Sequence, residues 1–100
     1  MLPIERLKKS NTKENLWLYI LFLLKNEKTH AWKLRSLIEE KFGFKPGQIT
    51  AYRVLYRLEK EGFVKSKMEE RRRIYKITKR GEQGLASAKK FYKDILNKLD

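Results

Sequence analysis

Three consecutive arginines stand in the segment EERRR, where Arg71, Arg72 and Arg73 follow two glutamates. Guanidinium groups bind phosphate oxygens through paired, charge-assisted hydrogen bonds, and two neighbouring carboxylates cannot pair with all three arginines. These arginines, with Lys65 and Lys67 shortly before them, suit the neutralisation of backbone phosphates or insertion into a narrow minor groove. A solvated run of charge without a ligand is the alternative interpretation.

A second set of side chains, upstream of the arginines, is spaced to lie on one face of a helix. Arg53 can form paired hydrogen bonds with a guanine edge, and Ile49 can contact a thymine methyl group. Tyr52 and Tyr56 suit contacts with phosphates or stacking beside a sugar. The predicted DNA-contacting residues of this helix are Gln48, Ile49, Thr50, Tyr52, Arg53, Tyr56, Arg57 and Lys60. A solvated helix face is the alternative.

The charge of the whole chain favours a polyanionic partner. Its 100 residues include 25 Lys and Arg against 12 Asp and Glu, a formal net charge of +13. Residues 45–81 contain 12 basic and four acidic side chains, and therefore carry +8 of this charge. Nucleic acid is the leading candidate, and an anionic membrane surface is the second. Few Asn and Gln beside many Lys and Glu is also typical of heat-adapted proteins.

The residue types offer little for catalysis. The chain has no cysteine, which excludes disulfides, thiolate nucleophiles and Cys-based zinc sites. His30 is the only histidine, so a metal site would need ligands that the sequence does not supply. No nucleophile or positioned acid accompanies His30, which we interpret as a structural or phosphate-contacting residue at a helix start. We therefore predict no enzyme, no catalytic residue, no metal and no cofactor.

The elements that position these residues begin with two predicted helices. The first runs from about Thr12 to Asn26, because Asn11 and Glu14 have the spacing of a capping box. The second follows Thr29, a good N-cap residue, and ends at a glycine.

A third helix and a hairpin follow. The recognition helix is predicted at about 46–61, since Ala51, Val54, Leu55 and Leu58 form an apolar stripe at helical spacing. The wing, at about 63–78, alternates with the period of strands. EERRR at its centre lacks the glycine pairs of tight turns, so a longer, mobile loop is expected.

Two segments are predicted to bury apolar surface against each other, either within one chain or between two copies. Leu16 to Leu24 are nine apolar residues in a row, far fewer than the roughly 20 that a membrane-spanning helix needs, so this segment is expected to be buried in protein. The last helix, from about Lys79 to Leu99, carries a heptad seam. The predicted dimer interface consists of Trp17, Leu18, Leu21, Leu85, Ala88, Tyr92, Ile95 and Leu99.

Three segments in order resemble the PadR family of transcriptional regulators. LYILFLLKNEKTHAWKL resembles the family's first helix and the His-Gly-Tyr-type start of its second helix. TAYRVLYRLEKEGFVKS resembles its recognition helix, and RRRIYKITKRGEQGL resembles its Arg-x-Tyr-Tyr-x-Leu-Thr-x-x-Gly segment. The resemblance covers about Leu16 to Leu85. Ala31 and Trp32 stand where the family usually has glycine and tyrosine, and Arg53 replaces a proline found in many members.

The resemblance implies a homodimer that binds operator DNA and usually represses transcription. By position, it places Thr50, Tyr52 and Arg53 on the DNA-facing part of the recognition helix, and Tyr75 and Thr78 where the wing joins the body. Some relatives sense small aromatic or cationic compounds between their subunits. Aromatic residues able to line such a site are Trp17, Tyr19, Phe22 and Trp32, although aromatics at these spacings are more often core, and an effector is left open.

The combined prediction is a mainly α-helical fold with a two-stranded hairpin. Residues 1–81 are expected to form a winged helix-turn-helix and residues 82–100 a C-terminal dimerisation helix. The expected function is regulation of transcription, with repression favoured. The expected regulator is a cytoplasmic homodimer that binds a pseudo-palindromic site in double-stranded DNA and does not bind a membrane. An architectural or RNA-binding winged helix without base preference is the alternative, and a protein-interaction adaptor is a further class.

Overall fold

Helical periodicity in most of the chain and strand periodicity before the last helix produce five helices and one hairpin. The computed structural model describes all 100 residues. The elements are α1 (Pro3–Ser10), α2 (Leu16–Asn26), α3 (Ala31–Phe42), α4 (Gln48–Lys60), β1 (Val64–Glu69), β2 (Arg72–Ile77) and α5 (Lys79–Leu99), with a short 3-10 turn at Lys13–Asn15. This confirms the predicted fold class, a mainly helical winged helix-turn-helix with a two-stranded hairpin.

Helix α2 lies at the centre of the core because apolar side chains cover nearly all of its surface. It packs against α3, α4, α5 and β2. Its fully buried residues are Leu16, Ile20, Leu21, Leu23 and Leu24, and the others of the apolar run are half-buried against the same core. The predicted burial of this segment in protein is confirmed. No helix in the structure combines the length and apolar content needed to cross a bilayer.

The start of the first predicted helix is wrong. A separate helix, α1, precedes it, and Asn11 ends α1 instead of capping α2. The side-chain Nδ2 of Asn11 donates a hydrogen bond to the carbonyl oxygen of Leu7 at 2.9 Å, and its Oδ1 accepts one from the hydroxyl of Tyr92 at 2.7 Å. Because Asn11 is engaged at the end of α1 and with α5, the capping box does not form and α2 begins only at Leu16.

The N-cap of α3 is His30 rather than Thr29. The Nδ1 of His30 accepts a hydrogen bond from the backbone N–H of Lys33 at 3.3 Å. Thr29 is buried and exchanges backbone hydrogen bonds with Tyr75, at 2.8 and 3.1 Å, alongside β2. The chain before α3 therefore joins the helices to the wing. At the other end of α3, Gly43 adopts a left-handed φ of 78°.

The hairpin turn is tighter than predicted. Strands β1 and β2 pair antiparallel, with Glu69 opposite Arg72. Only Glu70 and Arg71 connect them, at φ values of 47° and 72°, the pattern of a two-residue type I′ turn. The expectation of a longer loop is therefore wrong, because the twist of the paired strands matches this turn even where residues other than glycine must adopt positive φ. Arg72 and Arg73 consequently belong to β2.

The first turn of α5 is locked onto the junction between α4 and β1. Thr78 caps α5 as predicted: its Oγ1 accepts a hydrogen bond from the N–H of Gly81 at 3.1 Å and donates one to the carbonyl oxygen of Gly62 at 2.7 Å. Gly81 is buried there, and a Cβ at this position would overlap the carbonyl oxygen of Phe63. The wing and the last helix are thereby held in one fixed orientation.

Candidate nucleic-acid interface

Helix α4 buries one face and exposes the other. Ala51, Leu55 and Leu58 are buried in the core. All eight predicted DNA-contacting residues are exposed, namely Gln48, Ile49, Thr50, Tyr52, Arg53, Tyr56, Arg57 and Lys60. Large side chains are among them, with Ile49 71% and Tyr56 69% exposed. The face therefore offers both apolar and cationic groups to a partner.

The turn that sets the start of α4 is held by a residue of α3. The Nε of Arg35 donates a hydrogen bond to the carbonyl oxygen of Pro46 at 3.0 Å, and Pro46 is buried. Gly47, the N-cap of α4, has no side chain with which to stabilise this end. Arg35 was missed by the sequence analysis, because nothing in a helical arginine indicates that it reaches across to the next turn.

The wing is positioned by the last turn of the same helix. The carboxylate of Glu59 accepts hydrogen bonds from the backbone N–H of Ser66, at 2.9 Å, and from its hydroxyl, at 2.8 Å. The Oγ of Ser66 accepts one from Nη1 of Arg73 at 3.0 Å. Glu59 and Ser66 were also missed, since a glutamate in a helix and a serine in a strand are usually solvated.

None of the three wing arginines forms an ion pair. The carboxylate of Glu69 lies near Lys28 and Lys67, at 3.6 and 3.7 Å, and not near an arginine. Lys65 is exposed on the outer face of the hairpin. The arginines occupy three different settings: Arg71 in the turn, Arg72 beside His30 and Arg73 on Ser66. Their charges are therefore available to an anion.

His30 contacts the wing in surroundings that disfavour its protonated form. Its Nε2 lies 3.1 Å from Nη1 of Arg72, while its Nδ1 faces the N–H of Lys33. Both contacts need an unprotonated ring nitrogen, and a neutral imidazole has only one, so each tautomer can accept only one of the two hydrogen bonds. Burial, together with the charges of Arg72 and Lys33, lowers the pKa of His30 below its ordinary value of 6.5.

The structure brings the wing arginines together with one residue of the predicted set on α4, Tyr52. A cleft of about 280 Å³ separates the start of α3 from the wing. It is lined by Tyr52 from α4, by His30 and Trp32, and by the wing arginines. The exposed face of α4 therefore adjoins the unpaired arginines at Tyr52.

The eight predicted dimer residues separate into three groups. Leu21 and Leu85 are only 1% and 2% exposed within one chain, so they belong to the core and offer no surface to a partner; for these two the prediction is wrong. Leu18 is half-buried against the core. The remaining five, Trp17, Ala88, Tyr92, Ile95 and Leu99, line one groove of about 930 Å³ between α1 and α5.

The same groove contains apolar residues that the sequence analysis missed. Phe91 and Leu96 are 62% and 64% exposed on α5, and Leu7 contributes from α1. Phe91 and Leu96 are the direct neighbours of the seam residues Tyr92 and Ile95. A search for an apolar stripe wider than the heptad seam would have included both. Leu7 was missed because α1 itself was not predicted.

The aromatic residues considered for an effector site do not meet. Tyr19 packs edge-on against Phe42 and Phe44, with ring centroids 4.7 and 5.1 Å apart, and Phe22 also packs on Phe42. Trp17 lines the groove beside α5, whereas Trp32 lies at the start of α3. These four residues therefore do not form one ligand site within the chain.

Comparison with known proteins agrees with this geometry. The family model described as "Transcriptional regulator PadR-like family" matches residues 20–87. No curated protein sequence matches the chain at a significant level. Among solved structures, a transcriptional regulator from Clostridium thermocellum is 28% identical, with a TM-score of 0.71, and the match covers 83% of this chain and 90% of that one.

Two further structures share the fold. A PadR-like transcription factor from Bacteroides fragilis has a TM-score of 0.80 at 23% identity, over 94% of this chain and 95% of that one. A PadR family transcription regulator from Clostridium difficile has a TM-score of 0.72 at 23% identity, over 83% and 95%. Since the family model, which describes regulators and not enzymes, matches more than half of the chain, this protein belongs to the PadR-like family of transcriptional regulators.

Proposed function

We propose that this regulator binds double-stranded DNA with base preference, as a homodimer, and represses transcription by occupying its operator. The observation that carries the proposal is the exposed face of α4 beside three arginines without ion pairs. Unpaired cations on one side of a chain of net charge +13 favour a polyanion, and an exposed helix next to them fits the major groove.

In this mode α4 enters the major groove. Arg53 pairs with a guanine, Ile49 packs on a thymine methyl group, and Gln48 and Thr50 contact bases from the start of the helix. Tyr52, Tyr56, Arg57 and Lys60 contact the sugar–phosphate backbone beside the groove. Lys65, Lys67 and the wing arginines contact the backbone or the minor groove. Base preference arises from α4, and most of the affinity arises from the phosphates.

The dimer forms through the groove between α1 and α5. Phe91, Leu96 and Leu99 are all strongly exposed on α5, and a contiguous apolar surface of this kind marks an interface. A second copy is the occupant, because the heptad seam of α5 is a pattern by which identical helices pack together. We therefore assign DNA binding to residues 1–81 and dimerisation mainly to residues 82–100, with α1 assisting.

Two-fold symmetry predicts the shape of the operator. Two recognition helices in successive major grooves lie roughly 34 Å apart and read a pseudo-palindrome. Such a dimer bound across a promoter excludes other proteins from the same DNA, which is the basis for expecting repression.

Selection of bound duplexes from a random-sequence pool tests the proposal. Enrichment of two inverted half-sites about one helical turn apart is the expected result. Tight binding without enrichment of any sequence would favour the architectural alternative over the proposed function. Preference for RNA over duplex DNA would favour the RNA-binding alternative. The affinity should also fall steeply with salt; absent or weakly salt-dependent binding would instead favour a protein-interaction adaptor.

A further inference from the structure

The cleft between α3, α4 and the wing has the chemistry of an anion site. Its charged side chains are Arg71, Arg72 and Arg73, and no carboxylate lines it. The ion pairs of the structure all lie elsewhere, two of them on the outer side of the wing at Glu69 and one on α5. Three guanidinium groups in one cleft that no carboxylate lines favour an anionic ligand.

Arg72 is held in this cleft by a weak and replaceable partner. Its Nη1 faces Nε2 of His30 at 3.1 Å, and this nitrogen accepts a hydrogen bond only when the Nδ1 is protonated and gives up its cap on Lys33. A phosphate oxygen is a stronger acceptor for a guanidinium group than a neutral imidazole. An arriving phosphate can therefore take Arg72 from His30 and let His30 return to capping α3.

Trp32 adds an apolar wall to the same cleft. It is 67% exposed and stacks on His30 with ring centroids 6.3 Å apart and an interplanar angle of 24°. Its indole therefore presents a flat apolar face to a ligand in the cleft. A flat indole beside an anion site matches a ligand that carries an apolar ring next to its phosphate, as a deoxyribose does.

The position of the cleft indicates which part of the DNA would supply the phosphate. The cleft lies between α4 and the wing, and in the proposed complex α4 occupies the major groove while the wing reaches the minor groove. The strand that separates these two grooves must pass across the cleft. We infer that the cleft binds one phosphate of this strand, that Arg72 leaves His30 to pair with it, and that Trp32 packs on the adjoining deoxyribose.

The inference rests on the proposed function only in requiring that the chain binds duplex DNA. Its first test compares two substitutions that each remove one positive charge. Arg72→Gln should weaken binding to a mixed-sequence duplex about 10-fold and reduce the slope of log affinity against log salt by about 0.9. Lys93→Gln, which removes the same charge from an exposed position of α5, should change both far less. Equal effects of the two substitutions would overturn the phosphate contact.

A second test follows Trp32 directly. In Trp17→Phe the only tryptophan left is Trp32, so acrylamide quenching of its fluorescence measures its exposure. Addition of duplex should protect Trp32 from quenching. Trp32→Ala should weaken binding several-fold without lowering the unfolding midpoint, whereas Trp32→Tyr should retain most of the affinity. An equally quenched Trp32 in the saturated complex, or full affinity in Trp32→Ala, would overturn its contact with DNA.

These outcomes separate the two proposals. Because a phosphate contact does not depend on sequence, the mixed-sequence duplex tests the cleft whether or not base preference exists. If both Arg72→Gln and Trp32→Ala bind DNA with unchanged affinity and sequence preference, the phosphate site in the cleft is ruled out. The proposed function is then unaffected. A wild-type chain that binds no duplex at all would remove both.

Discussion

The carboxylate of Glu59, in the last turn of α4, accepts hydrogen bonds from both the backbone N–H and the hydroxyl of Ser66 on β1, at 2.9 and 2.8 Å. Helix α4 and the wing are thereby joined at one half-buried point. This contact maintains the angle between α4 and the wing. It therefore sets the angle at which DNA bound to α4 would meet the wing.

Removal of this contact should loosen the wing. Ser66→Ala deletes the hydroxyl between Glu59 and Arg73, and we expect the free energy of unfolding to fall by about 1 kcal/mol, because the half-buried Glu59 and the exposed Arg73 each lose one hydrogen bond. Chemical denaturation measures the change. Ser36→Ala, at a half-buried position of α3, is the matched control, and a similar loss in both variants would contradict the specific role of Ser66.

Two glycines of α5 should respond in opposite directions to alanine. Gly81→Ala places a methyl group against the carbonyl of Phe63 and 2.6 Å from Cγ1 of Ile77, and should destabilise the fold by about 2 kcal/mol or more. Gly84→Ala meets only the Phe63 ring, at 3.4 Å, and should be neutral or stabilising by about 0.5–1 kcal/mol. Thermal unfolding of both variants measures this, and a tolerated Gly81→Ala would refute the close approach.

Dimerisation should depend on the exposed seam of α5. Ile95→Glu puts a charge into the groove between α1 and α5, and we expect it to yield a folded monomer because a buried, unpaired carboxylate is unfavourable. Sedimentation equilibrium measures the mass of each species. Asn97→Glu, on the other side of the helix, should remain a dimer; if both variants dimerise equally, the interface lies elsewhere.

Arg53 should contribute base preference and Lys60 general affinity. Arg53→Ala should reduce discrimination at one base pair by roughly 1–3 kcal/mol, because it removes a bidentate contact with guanine. Lys60→Ala should weaken all sequences alike. Competition binding with single base-pair changes in the selected site measures both effects. Uniform losses in both variants would indicate that α4 contacts only the backbone.

Stability should fall in mildly acidic solution through His30. Its pKa in the folded chain is lowered below the ordinary 6.5 by burial, Arg72 and Lys33. Between that lowered pKa and 6.5, the unfolded chain binds more protons than the folded chain. The free energy of unfolding therefore decreases as the pH falls through this interval. Above the interval, the stabilising contribution of neutral His30 is fully present. His30→Gln should flatten the dependence in denaturation series at several pH values. Parallel curves for both proteins would contradict the prediction.

The local elements could be read from the chain because each depends on neighbouring residues. The recognition helix follows from the stripe Ala51, Leu55 and Leu58, and the start of α5 follows from the cap at Thr78. Helix α1 could not be read, because its apolar residues Ile4 and Leu7 are exposed in the single chain and too few to form a clear period. The capping box at Asn11 was a real local pattern that a contact with Tyr92 overrode.

The sequence by itself determined the fold class and the exposed face of α4, because helical and strand periods, capping residues and charge are local properties of the chain. The family was indicated by the resemblance of three segments in order, and the family model matches the same region. Only the tertiary structure decided that Leu21 and Leu85 lie in the core, that a two-residue turn places Arg72 on β2, and that Arg72 meets His30 across 42 positions. These relationships depend on which faces pack together and at what angle. The packing of distant segments sets that geometry, and no local pattern of residues encodes it.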